Sequence, residues 1–214
     1  MKKIVHLTAC FILFFTFAFP AFASEKFKAY VKAGHIYLFS KIKNQTIQIT
    51  HSVVAHDPVL SPDGKWLVFV MRSNHLIPRA CAFSLTKTNY ADEVWIIDLS
   101  TMHKKILVDV HTDCDHPKKV IIDPNDLQFS PDSKTLYFAT SAWATSGAIH
   151  AIDINGKNLR YVTYANEYRV IQYGKYRGDI IAYQHRYHDK GGSYDWDWLF
   201  TPQGKQIKLY KKED

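Results

Sequence analysis

The chain has 214 residues, with 27 Lys and Arg against 20 Asp and Glu and a formal net charge of +7. The positive excess is spread along the chain without an Arg-rich run, so a nucleic-acid partner is not expected. The 191 residues from 24 to 214 are enough for one domain with a sizeable hydrophobic core.

The N-terminus has the pattern of a secretory signal peptide. Two lysines precede an apolar run from Ile4 to Phe19, and the small residues of Ala21-Phe22-Ala23 then offer a cleavage site. We predict a signal peptide over 1–23 and a mature chain that is periplasmic or secreted. A membrane anchor is the alternative, but the run is shorter than the ~20 residues that a spanning helix needs. No later stretch is apolar enough to span a bilayer, so no transmembrane segment is expected in the mature chain.

The remainder of the chain predicts an all-β fold built from repeats. Short runs of β-branched, aromatic and Leu residues alternate with turn clusters, and no helical period is evident. The stretches 57–69 and 125–138 both contain a short strand, a Ser-Pro-Asp-x-Lys turn and a longer apolar strand. Pro sets φ in such a turn, and Asp or Ser caps it. Two further strands follow each copy, and degenerate copies flank the pair.

These units resemble the TolB-like, or WD40-like PD40, β-propeller repeat, whose hallmark is the Ser-Pro-Asp-Gly-Lys turn. The resemblance covers most of residues 27–210 and implies a small β-propeller of four blades with about 48 residues each. The blades are expected at 27–50, 57–110, 126–164 and 168–211. No clear inner strand precedes the first blade. The first blade is therefore either three-stranded or completed in trans by a partner chain, as in a homo-oligomer.

The loop pattern places a candidate site on one rim of the propeller. In the implied geometry the b-to-c and d-to-a connections share one rim, and here these are the long loops, where binding residues usually collect. They are predicted at 71–92, 111–124, 141–147 and 186–194. The candidate ligand-binding residues on this rim are His75, Arg79, His111, Asp113, Asp115, His116, Trp143, Arg186, His188, Asp189 and Tyr194.

Cysteine and potential metal-ligating residues lie on the same predicted rim. Cys81 and Cys114 are the two cysteines left after export, and an oxidising compartment favours a disulfide between them over two separate thiols. Two His, two Asp and a Cys in 111–116 have the chemistry to ligate a transition metal. Their spacing matches no metal motif, however, so a solvent-facing polar loop is preferred, and neither a metal nor a cofactor is predicted.

Neither a catalytic residue nor an exposed aromatic platform is expected. The Ser and Asp residues of the two turns belong to the opposite face and are explained by turn chemistry, and no hydrolase motif is present, so no catalytic residue is predicted. Trp196 and Trp198 fall on the same side of a strand, and a core position is favoured over a stacking platform for both.

Two functions follow from these patterns. The first is an exported, non-enzymatic binding module whose rim receives a peptide segment or a cell-envelope protein. The propeller of TolB binds envelope lipoprotein and toxin segments, so the resemblance implies a similar kind of task, although this sequence lacks the N-terminal α/β domain of TolB and has fewer blades. The alternative is a propeller lyase or hydrolase acting on a carbohydrate or peptide, similar to metal-dependent oligogalacturonate lyases. That alternative requires a metal site at which four histidines meet: His75, His111, His116 and His188.

Overall fold

The computed structural model describes residues 26–51, 54–81, 89–143 and 146–210. The predicted signal peptide and its cleavage site lie outside these residues. The described part of the chain is almost entirely β-structure, with 15 strands and two short 3₁₀ turns at Arg79–Cys81 and Pro117–Lys119. No helix within it is long and apolar enough to cross a membrane.

The strands form four separate antiparallel sheets, each ordered as in the sequence. Blade 1 contains β1 (Phe27–Lys32), β2 (His35–Ser40) and β3 (Gln45–Gln48). Blade 2 contains β4 (Ala55–Leu60), β5 (Trp66–Leu76), β6 (Tyr90–Asp98) and β7 (Lys104–Val108). Blade 3 contains β8 (Asn125–Phe129), β9 (Thr135–Ser141), β10 (Gly147–Asp153) and β11 (Arg160–Ala165). Blade 4 contains β12 (Glu167–Val170), β13 (Ile180–Tyr187), β14 (Ser193–Phe200) and β15 (Gln206–Leu209). The predicted all-β, four-bladed architecture is confirmed, and blade 1 has three strands in the described residues.

The repeated turns owe their shape to the same side-chain bonds. In blade 2 the Ser61 hydroxyl donates to Asp63 Oδ1 at 2.6 Å and accepts the backbone N–H of the first residue of β5. Ser130 and Asp132 form the identical pair at 2.6 Å in blade 3, and Ser130 likewise accepts the first N–H of β9. These serine and aspartate side chains are therefore occupied in holding the turns, as the sequence predicts.

Both complete inner strands before these turns carry a β-bulge that the sequence pattern did not reveal. Two residues of β4 oppose one of β5 just after His56, and the same irregularity follows Asn125 in β8. Asp57 and Asp126 occupy the left-handed region there, with φ of 50° and 48°. Aspartate tolerates this region because its short polar side chain can bond locally.

The hydrophobic core lies between successive blades. Val68, Val70 and Val94 of blade 2 are fully buried against Phe129 and Phe138 of blade 3, and similar clusters join blade 1 to blade 2 and blade 3 to blade 4. Each interface packs one face of a sheet on the opposite face of the next. Among the described residues, no strand of blade 1 makes an extensive contact with a strand of blade 4.

Two of the predicted loops are shorter than expected. The b-to-c loop of blade 2 was predicted at 71–92, but β5 continues to Leu76 and β6 already begins at Tyr90. His75 is therefore a strand residue. Arg186 and Tyr194 likewise belong to β13 and β14, because the two strands stay paired up to Tyr187 and Ser193. The pairing of β13 with β14 holds Arg186 opposite Tyr194, whereas His75 lies between Arg72 and Leu76, where the pairing of β5 with β6 is irregular.

Candidate functional site

A disulfide organises the blade 2 side of the rim. The structure joins Cys81 to Cys114, whose Cα atoms are 5.4 Å apart, an ordinary separation for a disulfide. Cys81 is fully buried and packs with Ala91, Val120 and Ile122 in a small apolar cluster. The bridge thus ties the 3₁₀ turn after β5 to the loop that leads into blade 3.

The polar residues of that loop pair with one another. His116 Nδ1 lies 2.8 Å from Asp113 Oδ1, and Lys119 Nζ lies 3.8 Å from the other carboxylate oxygen. The bond to His116 is the main reason why the pKa of Asp113 is lowered. His111 forms an isolated backbone bridge with Ile121. Asp115 and Arg79 are exposed beside this loop, so this part of the predicted site is a polar surface around the disulfide.

The four histidines required by the enzyme alternative form no metal-ligating group among the described residues. The group of three that does occur there combines His75 with Glu93 and Asp109, whose ligand atoms lie within 4.8 Å of one another. Burial raises the pKa of Glu93, while the Trp95 indole donates to its carboxylate at 3.1 Å. His75 Nδ1 lies 3.6 Å from Glu93. The sequence did not indicate either carboxylate, because Glu93 of β6 and Asp109, which directly follows β7, are brought together only by strand pairing.

A cleft between the outer strand of blade 3 and the middle strands of blade 4 is the most distinctive concave feature near the predicted site. It has a volume of about 860 Å³ and is bordered by β11 on one side and by β13 and β14 on the other. Its aromatic lining residues are Trp143, Tyr161, Tyr164, Tyr187 and Phe200. Lys118 and Arg186 add positive charge, and no carboxylate side chain occurs among its described lining residues. Two residues of the predicted rim, Trp143 and Arg186, therefore meet in one cleft.

Arg186 is held at the cleft wall by a cross-blade network. Its guanidinium carbon lies 3.8 Å from the centre of the Trp198 ring, a cation–π contact. It donates to the side-chain oxygen of Gln184 and, at 2.7 Å, to that of Gln206. Gln184 is fully buried and its amide donates to Thr163 Oγ1 of blade 3 at 2.9 Å. The network holds the Arg186 guanidinium group in a fixed position.

A ladder of rings runs from the tip of blade 4 toward the core. The centroids of His188 and Tyr194 are 4.5 Å apart, as are those of Tyr194 and Trp196. Trp196 is 47% exposed, whereas Trp198 packs against the core between blades 3 and 4. The core prediction therefore fits Trp198 but not Trp196. Asp189 is exposed in the turn beyond the ladder.

The inner strand of blade 2 carries an ionic cluster that the sequence reading missed. His56 Nδ1 lies 3.1 Å from Asp57, and its Nε2 lies 3.8 Å from Asp92, which also accepts a 2.6 Å bond from Arg72. The hydrogen bond to Asp57 and the pairing with Asp92 raise the pKa of His56 to about 9. No sequence signal indicated the cluster, because His56, Arg72 and Asp92 come together only through the pairing of β4, β5 and β6.

The His56 cluster is expected to make the protein less stable in mild alkali. Unfolded histidine has a pKa near 6.5 and folded His56 one of about 9, so its stabilisation is complete below pH 6.5 and is lost as the pH rises through about 9. We expect the free energy of unfolding, measured in urea, to fall across this range. The fall should be smaller in His56→Gln and unchanged in His103→Gln, which alters an exposed histidine. Equal pH profiles for both variants would contradict the assignment.

Sheets packed face to face in chain order, with the longer loops on one rim, define a β-propeller. No protein-family model matches the chain, and no curated protein has a matching sequence. Solved structures do match. TolB from Acinetobacter baumannii aligns with a TM-score of 0.53 and 19% identity over 87% of this chain. Porphyromonas gingivalis dipeptidyl peptidase 4 aligns at 0.61 and 11% over 91%. The β-propeller domain of the Trilobed protease from Pyrococcus furiosus, described as having an open velcro topology, aligns at 0.51 and 14% over 87%.

These likenesses establish the fold and confirm its resemblance to TolB-like propellers. The chain spans 41% of the TolB chain, 32% of the dipeptidyl peptidase 4 chain and 53% of the Trilobed protease domain. Both TolB and peptidases occur among proteins of this fold, so the fold by itself does not select between binding and catalysis.

Proposed function

We propose that this protein is an exported binding module that holds an extended, acidic peptide segment in the cleft between blades 3 and 4. Export to the periplasm or the exterior of the cell is supported by the signal-peptide pattern of residues 1–23 and by the Cys81–Cys114 disulfide, which an oxidising compartment maintains. The observation that carries the ligand assignment is the aromatic and cationic lining of the cleft.

The charge and shape of the cleft favour an acidic ligand with apolar side chains. The Tyr161 ring is covered by Lys118, whose Nζ lies 5.2 Å from the ring centroid. Trp143 meets Tyr161 and Tyr164 edge to face, at 6.4 and 6.5 Å between centroids. Rigid aromatic side chains bury much area at low entropic cost, and the two cations attract carboxylates.

The strand at the floor of the cleft offers its side chains to an extended ligand. β11 is the outermost strand of blade 3, so one of its edges pairs with no other strand in the described structure. Tyr161 to Tyr164 of this strand line the cleft. The Tyr164 carbonyl already accepts the Gln184 amide, and the Val162 carbonyl packs against Gly204 of blade 4. A peptide would therefore bind here mainly through side chains that reach the rings and cations on either side.

Binding of a synthetic peptide tests the proposal. A fluorescein-labelled octapeptide of alternating Glu and Phe should bind the mature chain, with saturable fluorescence anisotropy, and a Lys and Phe octapeptide should not. Trp143→Ala should weaken binding about 30-fold, since loss of a central aromatic anchor costs about 2 kcal/mol. Lys118→Glu should weaken it about tenfold by placing a carboxylate in the cleft.

A matched control separates the cleft from general charge effects. Lys104→Glu makes the same charge change at a lysine that covers Trp95 at 5.4 Å on blade 2, away from the cleft. It should leave the peptide affinity unchanged. Equal losses in Lys118→Glu and Lys104→Glu would exclude the cleft. Binding of an oligogalacturonate with no binding of the peptide would overturn the peptide assignment in favour of an acidic saccharide.

A further inference from the structure

Blade 1 has one sheet face that no other described blade covers. Ile36 and Leu38 of β2 are buried against blade 2, so the alternate residues of this strand point the other way. Tyr37 and Phe39 are among them, and Tyr30 of β1 stacks on Tyr37 with 5.5 Å between centroids. Lys28 pairs with Phe39 in the register of the two strands and therefore shares this face. The face thus combines half-buried aromatic rings with exposed positive charge.

Blade 4 has the opposite kind of open face. Ile180 and Ala182 of β13 pack on blade 3, so Ile181 and Tyr183 lie on the far side. There a groove of about 260 Å³ is lined by Glu167, Arg169, Ile181, Tyr183 and Asp197, together with Tyr168. Tyr183 is 37% exposed. The groove offers two carboxylates and one guanidinium beside the exposed Tyr183 ring.

The open face of blade 1 and the open face of blade 4 are complementary in charge, and they are opposite faces of their sheets. Lys28 and Lys32 on blade 1, and Glu167 and Asp197 on blade 4, form no ion pair within 4.0 Å among the described residues. Arg169, the cation lining the groove, is directed to the ring of Tyr210 at 5.5 Å. In every interface inside the chain, the face of one blade that points toward the C-terminal end of the blade order packs on the opposite face of the next blade. Blade 4 has no following blade and blade 1 has no preceding blade among the described residues, so one face of each is left open.

We propose that blade 1 docks on blade 4 of a second copy of this chain, head to tail, and that two such contacts close a dimeric ring. A heterologous contact closes a ring or grows into a filament. Two copies give eight blades, which lies within the four to eight blades usual for propellers, whereas three copies would exceed it. The positively charged aromatic face of one protomer then covers the acidic groove of its partner.

Charge reversal in separate protomers tests both the contact and its head-to-tail direction, in which blade 1 of one copy meets blade 4 of the other. The mature chain should elute with the mass of a dimer in size-exclusion chromatography with light scattering. Lys28→Glu and Asp197→Lys should each raise the dimer dissociation constant at least tenfold. Mixing the two variants should restore a dimer of wild-type affinity, because one interface then carries both reversed charges and the other carries neither.

The controls keep the test decisive. Lys43→Glu reverses a charge in the exposed turn between β2 and β3 and should leave the dimer intact. Circular dichroism should show that every variant retains the wild-type β-structure. A wild-type chain that stays monomeric at 100 μM, or a dimer that neither charge reversal weakens, would overturn the proposal. Peptide binding at the cleft is measured independently, so either result leaves the proposed function to its own test.

Discussion

Replacing both Cys81 and Cys114 by alanine is expected to lower the free energy of unfolding by about 3–4 kcal/mol. The bridge spans 33 residues, and closing a loop of this length in the unfolded chain removes conformational entropy that the linear chain would otherwise recover on unfolding. Alanine is the suitable replacement because Cys81 is fully buried and a serine hydroxyl there would require a hydrogen-bond partner.

Denaturant titrations with and without a reductant measure this effect. Reduction of the wild-type protein should reproduce the loss seen in the double alanine variant, and the variant itself should not respond to the reductant. Wild-type protein whose midpoint is unchanged by a reductant that reaches the bridge would show that the disulfide does not stabilise the fold.

Acidification from pH 6.5 to pH 4 is expected to cost the folded state about 3 kcal/mol through His150 alone. This side chain of β10 is 2% exposed, stacks on Phe138 at 5.4 Å, and has no hydrogen-bond partner for its buried Nε2 in the described structure. Burial lowers the pKa of His150 to about 4. The unfolded histidine takes up a proton near pH 6.5, so stability is complete above that pH and is lost as the pH falls toward 4.

Comparison of variants isolates this contribution from that of the carboxylates. The free energy of unfolding of His150→Leu should depend less steeply on pH between 6.5 and 4 than that of the wild type, by about 3 kcal/mol over the range. The exposed-site variant His103→Gln should follow the wild type. If His150→Leu kept the wild-type slope, the histidine would have to be charged in the folded state. Because His56 acts on the alkaline side, maximal stability is expected near pH 6.5.

The sequence by itself was sufficient to predict the strands and their grouping into four blades. Ser61 and Asp63, and their counterparts Ser130 and Asp132, shape their turns through bonds that span only a few residues, and alternation along each strand sets which side chains are buried. Interactions between residues so close in the chain can be predicted from sequence motifs and from the alternation of apolar residues. The same reading paired Cys81 with Cys114, since two cysteines leave a single pairing.

Only the tertiary structure decided where those blades create a site. Trp143 and Arg186 are 43 positions apart, and they meet because blade 4 packs on blade 3 in one particular register. The His56 cluster depends on a bulge that adds one residue to a strand, a change of backbone course that alternation does not encode. The open faces of blades 1 and 4 exist because each of these blades packs against only one other blade in the described structure. Clefts, ion pairs and uncovered faces arise from long-range packing, and the energies that select it are spread over many contacts rather than held in any one motif.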